Sequence, residues 1–421
     1  MSLFNLTLLI ESFLITFAII LILKPVAIKA GLVDHPCTRK NHIGQIPLIG
    51  GVSIFLCLAI LYYKLPFDNY AYILAASLIV ICGIIDDYKP LHSKLRLIVE
   101  AIAAWIIIKW GGVEIYSLGN LLGFGEINLG AFSTPFTIFA IIGGINAFNM
   151  IDGIDGLAGS LSLLVFLLLF IIGYDDQKIS SLCLFFIAAI TAFLIFNMRI
   201  FGRKKASVFL GDTGSMLFGF TICWIVISVS QDSNKLIQPV NILWIIALPL
   251  LDTVSIMLRR IKKHQSPFAP DREHFHHILP LAGYTINQTV SLILILALSL
   301  GSFGILAPLY FNLPEWLMFG LFLMVFYGHY WGISHAWKVM KIARYLREHK
   351  NDRRNPIKDR REKETSLDNK DKERRTNSNR RADKDRRYQQ IEKELIKRNL
   401  HSKPEFKTST KKTPSTPIKI K

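Results

Sequence analysis

Two pairs of aspartates stand in polar stretches that interrupt long apolar segments. Asp86 and Asp87 are adjacent, and Asp152 and Asp155 are three residues apart. Adjacent carboxylates repel each other, so a fully ionised pair requires a nearby cation, either a divalent metal or a basic side chain. Lys94 follows Asp87 by seven residues and is one such side chain. The pair therefore indicates metal or phosphate binding, and a plain capping role at the next helix is the alternative.

Asn149, Asp152 and Asp155 recur at every third residue, and a glycine follows each aspartate. On a helical or turn-like path, this spacing places the three polar side chains on one side. Glycine lets the backbone approach a ligand closely. Oxygen donors are the ligands that Mg²⁺ prefers, usually together with substrate phosphates.

Two further polar stretches carry residues suited to phosphate groups. GDTGS at 211–215, which includes Asp212, opens an apolar segment as a helix cap or anion site does. Asp252 precedes a stretch that contains Arg272, His274, His276 and His277. Arginine together with imidazoles suits a diphosphate. Zinc is less favoured, because zinc-binding histidines are usually roughly three to five residues apart.

Apolar segments long enough to cross a bilayer surround these stretches. The chain has 421 residues, 51% of them hydrophobic, and a soluble protein of this length rarely reaches that fraction. A membrane-spanning helix needs about 20 residues. Eleven segments qualify: 3–23, 46–63, 70–85, 95–110, 134–149, 157–174, 181–196, 215–230, 240–258, 286–308 and 315–333. The sequence thus predicts an all-α polytopic membrane protein with eleven transmembrane helices.

The basic residues of the first 337 positions lie mostly on one side of these segments. Sixteen of the twenty fall in loops after the first, third, seventh and ninth segments. Positive charge marks the cytoplasmic side of a membrane protein. The N-terminus is therefore predicted in the periplasm and the C-terminus in the cytoplasm, and every polar stretch above lies on the cytoplasmic face. The Gly-rich segment 111–133 falls on the opposite side, where a short hairpin or interfacial element is expected.

Residues 338–421 form a tail that differs from the membrane domain at 1–337. The tail has 29 Lys and Arg against 13 Asp and Glu, which predicts disorder because little apolar surface is available for burial. Its positive charge predicts attraction to anionic membrane lipid. Specific nucleic-acid binding is not expected, because the tail is poor in aromatic residues that could stack on bases.

Carboxylates for a hard cation and basic groups for phosphates, gathered at one membrane face, predict phosphoryl transfer to or from a membrane-bound acceptor. A secondary transporter is the alternative from another class, since it also buries carboxylates among helices. A transporter would place its charges near the middle of the bilayer, in broken helices. Here the charged stretches lie in loops on one face, which disfavours that alternative.

Five motifs, in order along residues 34 to about 280, resemble those of the polyprenyl-phosphate N-acetylhexosamine 1-phosphate transferases. They are RKNHIGQIPLIGG, DDYKPLHSK, NAFNMIDGIDGLAGS, VFLGDTGS and SPFAPDREHFHHIL. The last motif looks closest to the bacterial branch that makes undecaprenyl-diphospho-GlcNAc for enterobacterial common antigen, O-antigen or teichoic acid linkage. The resemblance implies a multi-pass enzyme of the bacterial inner membrane that transfers GlcNAc 1-phosphate from UDP-GlcNAc to undecaprenyl phosphate and releases UMP. Another UDP-N-acetyl sugar is the alternative within this family, and a homodimer is left open.

The resemblance also implies ligands for a Mg²⁺ cofactor, for which Mn²⁺ can substitute. Asp212 is similar to the principal metal ligand, with Asn149 or a carboxylate of the 152/155 pair nearby, and Asp87 is a further candidate. Phe209 resembles the aromatic residue that stacks on uracil. The residues implied to neutralise the diphosphate are Lys94, Arg272, His274, His276 and His277.

The catalytic candidates are the four aspartates of the two pairs: Asp86, Asp87, Asp152 and Asp155. Asp86 resembles the base proposed to deprotonate the lipid phosphate. A phosphate monoester, with a second pKa of about 6, is already mostly ionised near neutral pH. The Asp86–Asp87 pair can therefore orient the metal and the acceptor instead, and both roles remain open at this stage.

Overall fold

The structure, a computed structural model, describes residues 3–34, 45–67, 70–199, 202–203, 205–231, 236–266, 274–335 and 340. Within these ranges the chain is mainly helical. The helices are α1 (Leu3–Ala30), α2 (Gly50–Leu61), α3 (Ala71–Tyr88), α4 (Ser93–Lys109), α5 (Ser133–Ile151), α6 (Leu157–Ile172), α7 (Gln177–Asn197), α8 (Gly211–Gln231), α9 (Pro239–Ile245), α10 (Ala247–Lys262), α11 (Phe275–Leu281), α12 (Ile286–Phe311) and α13 (Glu315–Ser334). Strands β1 (Val33–Asp34) and β2 (Ile46–Pro47) form an antiparallel pair.

Ten of the eleven predicted apolar segments each coincide with one helix and the ninth with two, α9 and α10, which confirms the all-α class. Seven helices in the described part are long and apolar enough to cross a membrane, or eight when α9 and α10 are taken as one span. Helices α2, α4 and α6 are shorter, with 12, 17 and 16 residues. The protein is a multi-pass membrane protein. The predicted number of crossings and their orientation stay predictions, and the tail prediction falls almost entirely on residues outside the described ranges.

The ninth predicted segment is broken. Helices α9 and α10 meet at Ile246 and are bent by 84° relative to each other. Pro249 lies in the first turn of α10, where a missing N–H is tolerated, but it could not donate to the carbonyl of Ile245 in a continuous helix. The proline therefore favours a new helix start at this position.

Helix α8 is the centre of the bundle, with 18 of its 21 residues buried. It packs on α2, α3 and α5. A Cβ atom at Gly83 of α3 would collide with the backbone of Thr213, and one at Gly51 of α2 would collide with Gly214. These glycines allow the start of α8 to lie directly against α2 and α3.

Backbone pairing brings two distant polar stretches to the start of α8. The N–H of Phe209 donates to the carbonyl of Pro47 at 2.9 Å, and the N–H of Gly50 donates to the carbonyl of Phe209 at 3.0 Å. Asn197, the last residue of α7, accepts the N–H of Gly156 at 2.8 Å through its side chain. The α1–α2, α5–α6 and α7–α8 connections consequently meet at one end of the bundle.

The opposite end carries the Gly-rich segment, in which Ser117 and Asn128 pair as an antiparallel bridge. Gln231 at the end of α8 accepts the backbone N–H groups of Tyr116 and Ser117, at 3.0 and 3.1 Å. Glu315 at the start of α13 accepts the N–H of Asn120 at 3.0 Å. The segment is the short hairpin that its glycine content predicted.

Candidate active site

Four side chains from four helix ends form a continuous polar chain. Arg96 of α4 donates through Nη1 to Oδ2 of Asp86 at 2.8 Å and through Nη2 to Oδ1 of Asn149 at 3.1 Å. Nδ2 of Asn149 donates to Oδ1 of Asp212 at 2.9 Å. The guanidinium of Arg96 thereby links four helix ends: the ends of α3 and α5 and the starts of α4 and α8.

Asp86 is buried, and both of its carboxylate oxygens accept hydrogen bonds. Oδ1 accepts the N–H of Leu91 at 2.6 Å, and Oδ2 accepts Arg96. The first bond stabilises the tight connection between α3 and α4. The carboxylate therefore fixes the guanidinium of Arg96, and its catalytic role stays a prediction.

Asp87 binds the start of α8. Its Oδ1 accepts the N–H of Asp212 at 2.7 Å, and its Oδ2 accepts the N–H and the hydroxyl of Thr213 at 3.1 and 2.7 Å. Gly211, with φ of +78°, has no room for a Cβ beside this carboxylate. A carboxylate at a helix N-terminus is stabilised by the exposed N–H groups and the helix dipole. Asp87 thus caps a helix, although not the next one along the chain, and its predicted metal-binding and catalytic roles stay predictions.

Asp152 and Asp155 have different surroundings, because α5 ends at Ile151 and the three-residue spacing does not continue on one helical face. Oδ2 of Asp155 accepts hydrogen bonds from Nε of Arg199 at 2.7 Å and from the N–H of Ala206 at 3.0 Å. Asp155 therefore anchors the connection between α7 and α8. Asp152 is exposed, and its carboxylate makes no hydrogen bond or ion pair in the described part of the chain; its backbone N–H donates to the carbonyl of Asn149 at 3.3 Å.

Asp152 is exposed as a whole residue, but the surrounding protein shields its carboxyl in part from bulk water. This partial removal from bulk water, together with the negative charges of Asp212, Asp87 and Asp155, raises the pKa of Asp152 to about 8. A nearby cation would favour its ionised form.

Of the residues predicted to bind the nucleotide and diphosphate, Lys94 is exposed at the start of α4, and Phe209 is partly buried next to Leu48. Arg272 lies outside the described residues. The exposed ammonium of Lys94 is accessible to a ligand at this end of the bundle.

The three histidines occupy a separate, more buried position. Nδ1 of His274 lies 2.9 Å from Oδ2 of Asp252, and the N–H of Phe275 donates to Oδ1 of Asp252 at 3.0 Å. His274 and His276 are buried, whereas His277 is partly exposed. Burial and the neighbouring imidazole of His277 lower the pKa of His276 to about 3. Nε2 of His276 faces Gly153, where a side chain would collide with it, so the group adjoins the Asp152 loop.

Known proteins resemble this chain over most of its length. The profile described as "Glycosyl transferase family 4" matches residues 69–230. The undecaprenyl-phosphate alpha-N-acetylglucosaminyl 1-phosphate transferase of Salmonella typhi is 40% identical over 83% of this chain and 98% of its own length. The proteins of the same name from Escherichia coli K12 and Haemophilus influenzae are 41% and 39% identical, each over 80% of this chain and over 94% and 96% of their own lengths.

This chain belongs to glycosyl transferase family 4. The match confirms the resemblance that the five motifs indicated, and it identifies the protein as a membrane-embedded sugar-phosphate transferase.

Among the described site residues of this family 4 protein, carboxylates outnumber the basic side chains that contact them. The side chain of Asp212 is 41% exposed, and its Oδ2 is 3.7 Å from Nη1 of Arg96, beyond hydrogen-bond distance. The carboxylate of Asp152 has no hydrogen-bond or ion-pair partner in the described residues. Both offer the hard oxygen ligands that Mg²⁺ binds, so the donor set fits a magnesium ion.

The motifs did not indicate Arg96 as a site residue. In the sequence it was only one of the basic residues that predict topology. Lys94 attracted the phosphate-binding assignment because it lies in a recognised motif. On α4, however, Lys94 faces solvent and Arg96 faces Asp86. A count of the carboxylates around the Asp86–Asp87 pair against available cations would have pointed to this second basic residue.

Proposed function

We propose that this protein transfers GlcNAc 1-phosphate from UDP-GlcNAc to undecaprenyl phosphate, forming undecaprenyl-diphospho-GlcNAc and UMP. The observation that carries the proposal is the polar chain of Asp86, Arg96, Asn149 and Asp212 beside the free carboxylate of Asp152. Relatives at about 40% identity carry the name of this activity. The reaction would be the first lipid-linked step of a cell-surface polysaccharide pathway.

The proposed cofactor is Mg²⁺, held by Asp212 and by a carboxylate of the 152/155 pair. Asp152 is the better candidate of that pair, because Oδ2 of Asp155 already accepts Arg199 and Ala206. When bound, the ion supplies positive charge where a diphosphate carries negative charge. Asn149 binds Oδ1 of Asp212 and Arg96 lies 3.7 Å from its Oδ2, so the ion would meet a carboxylate that is already oriented.

The residues of this chain then position two phosphate groups for exchange. We assign the neutralisation of the diphosphate to Lys94, to Arg272 and to His277, which is the partly exposed histidine of the three. The acceptor phosphate requires no strong base, since it is mostly ionised near neutral pH. Asp86, occupied by Arg96 and Leu91, orients the guanidinium and need not remove a proton.

The acceptor would enter from the bilayer along α4. Three apolar side chains on this helix are exposed: Leu95 directly precedes Arg96, and Ile98 and Ile102 lie about one and two turns beyond Leu95. A polyprenyl chain can lie against such a surface while its phosphate reaches the polar chain at the helix end. Positive charge on the same loops supports a site at the cytoplasmic face of the inner membrane.

One observation favours a secondary transporter, namely the bend of 84° between α9 and α10, because broken helices are typical of transporters. The four-residue polar chain, however, lies at the ends of α3, α4, α5 and α8. A transporter is therefore the weaker candidate, and the use of a different UDP-N-acetyl sugar is the alternative within the transferase class.

The decisive experiment incubates purified protein with Mg²⁺, undecaprenyl phosphate and a panel of UDP-sugars, followed by mass spectrometry of the lipid and analysis of the nucleotide. We expect a lipid diphosphate sugar from UDP-GlcNAc, with UMP as the nucleotide product. One phosphoanhydride replaces another, so labelled UMP added to the lipid product should return labelled UDP-GlcNAc. UDP as the sole nucleotide product, without reversal by UMP, would refute the proposal.

A further inference from the structure

One buried carboxylate is surrounded by imidazoles from separate parts of the chain. Asp252 of α10, His274 and His276 each offer a ligand atom, and the three atoms lie within 4.8 Å of one another. All three residues are buried, with 2%, 6% and 1% of their surfaces exposed. A third histidine, His329 of α13, places Nε2 3.8 Å from Oδ1 of Asp252.

Several nitrogen atoms of this group lack hydrogen-bond partners. Nδ1 and Nε2 of His276 and Nε2 of His329 are buried without one in the structure as described. Buried polar side-chain atoms are nearly always paired, and an unpaired one calls for a ligand such as an ion or a water molecule. Two imidazoles with unpaired nitrogens beside one carboxylate favour a cation, because a neutral imidazole offers a lone pair.

The donor types narrow the choice of cation. Imidazole nitrogens suit zinc and other late transition metals, whereas Mg²⁺ prefers oxygen donors alone. Asp252 also accepts the N–H of Phe275, the kind of outer contact that holds a ligating carboxylate in position. Two histidines and one carboxylate are a recognised ligand set for zinc, with a fourth position left for water or another residue.

We propose that Asp252, His274 and His276 bind one divalent transition metal of the zinc class, with His329 as a fourth ligand or as an outer partner of Asp252. The metal would join α10, α11 and α13 and would hold the ring of His276 against Gly153. For His274 and His276 this role replaces diphosphate binding. The proposal does not rest on the identity of the sugar or of the lipid.

Metal analysis of the full chain tests this proposal directly. The protein is purified in detergent through a tag that contains no histidine, exposed to Zn²⁺ or Co²⁺, and washed with a weak chelator before elemental analysis. We expect about one zinc per chain, and a cobalt-loaded protein with the visible absorption of a low-coordinate site. Zinc absorption spectroscopy should show nitrogen and oxygen donors at about 2.0–2.2 Å.

Substitutions locate the metal. His276→Ala and Asp252→Asn should each lose the zinc, whereas His335→Ala removes a histidine outside the group and should retain it. Asp212→Asn should also retain it, which separates this position from the proposed magnesium site. Removal of the metal should lower the melting temperature of the wild-type chain.

A wild-type chain that binds no zinc or cobalt after loading would overturn the proposal. Zinc that stays in His276→Ala and Asp252→Asn, or that leaves with Asp212→Asn, would do the same. Should one variant fail to fold, the cobalt spectrum and the donor distances of the wild-type chain decide the question without it. Transferase activity is not needed for any of these measurements, so failure here is distinguishable from failure of the proposed function.

Discussion

The two ends of the helix bundle carry similar polar residues but differ in how far these residues are hydrogen-bonded within the protein. At the hairpin end, Gln231 and Glu315 accept three backbone N–H groups between them, and Nε2 of Gln231 donates to the carbonyl of Ser117. At the other end, the carboxylate of Asp152 has no partner in the described residues, and Oδ2 of Asp212 is beyond hydrogen-bond distance of Arg96.

The difference separates structural polar groups from groups available to a ligand. A carboxylate or amide that accepts hydrogen bonds from backbone N–H groups lowers the free energy of the folded state, because those donors would otherwise have no partner. A carboxylate left beside other carboxylates raises that free energy unless a cation binds. The active-site end contains both kinds. Asp87, next to Asp86, is a structural carboxylate there, because it accepts backbone N–H groups at the start of α8.

The largest effect is expected from Asp212→Asn, which removes a charged oxygen ligand. Turnover should fall by at least about 100-fold at any Mg²⁺ concentration, since even outer residues of metal sites are typically worth about 10–100-fold. UMP release in detergent is the measurement. Asp176→Asn is the matched control: Asp176 caps α7 at the opposite end through its side chain, and asparagine caps about as well. Wild-type turnover in Asp212→Asn at low Mg²⁺ would remove Asp212 from the site.

Arg96→Lys should have a smaller effect, a loss of about 10–100-fold in turnover. The ammonium group keeps the charge but cannot reach Asp86 and Asn149 together as the planar guanidinium does. The Mg²⁺ concentration for half-maximal activity should shift as well, because Asn149 loses the contact that orients it towards Asp212.

The matched control for Arg96 is Lys64→Gln at the hairpin end, which breaks the partly exposed ion pair with Glu11. Exposed ion pairs contribute little to stability because solvent screens them, and turnover should not change. Equal loss of activity in both variants would mean that Arg96 acts only through the stability of the bundle.

The smallest effect on turnover is expected from Gln231→Ala, which leaves the active-site end intact. The hairpin loses its bonds to Gln231, so the free energy of unfolding should fall by about 1–2 kcal/mol, visible as a lower melting temperature in detergent. Gln177→Ala, at an exposed position on α7, should change neither quantity. A large loss of turnover in Gln231→Ala would contradict the division between the two ends.

Much of the fold could be predicted from the sequence, because apolar length and charge in loops are local properties. The eleven apolar segments all became helices, and the Gly-rich segment became a hairpin. The break at Ile246 was missed, since the apolar run continues through it and Pro249 was read as part of one span. The motifs also indicated Asp86, Asn149 and Asp212, which lie together in the structure.

The sequence by itself determined which residue types surround the site and at which helix ends they lie, because motifs keep their local order. Only the tertiary structure decided which carboxylates are already paired. The contact of Asp87 with Thr213 spans 126 positions, and that of Arg96 with Asn149 spans 53. Such contacts depend on which helices pack together, and this in turn depends on close approaches such as Gly83 against Thr213. Likewise, His274 and His276 are too close in sequence to suggest a metal site, and Asp252 and His329 join them only once α10, α11 and α13 are packed.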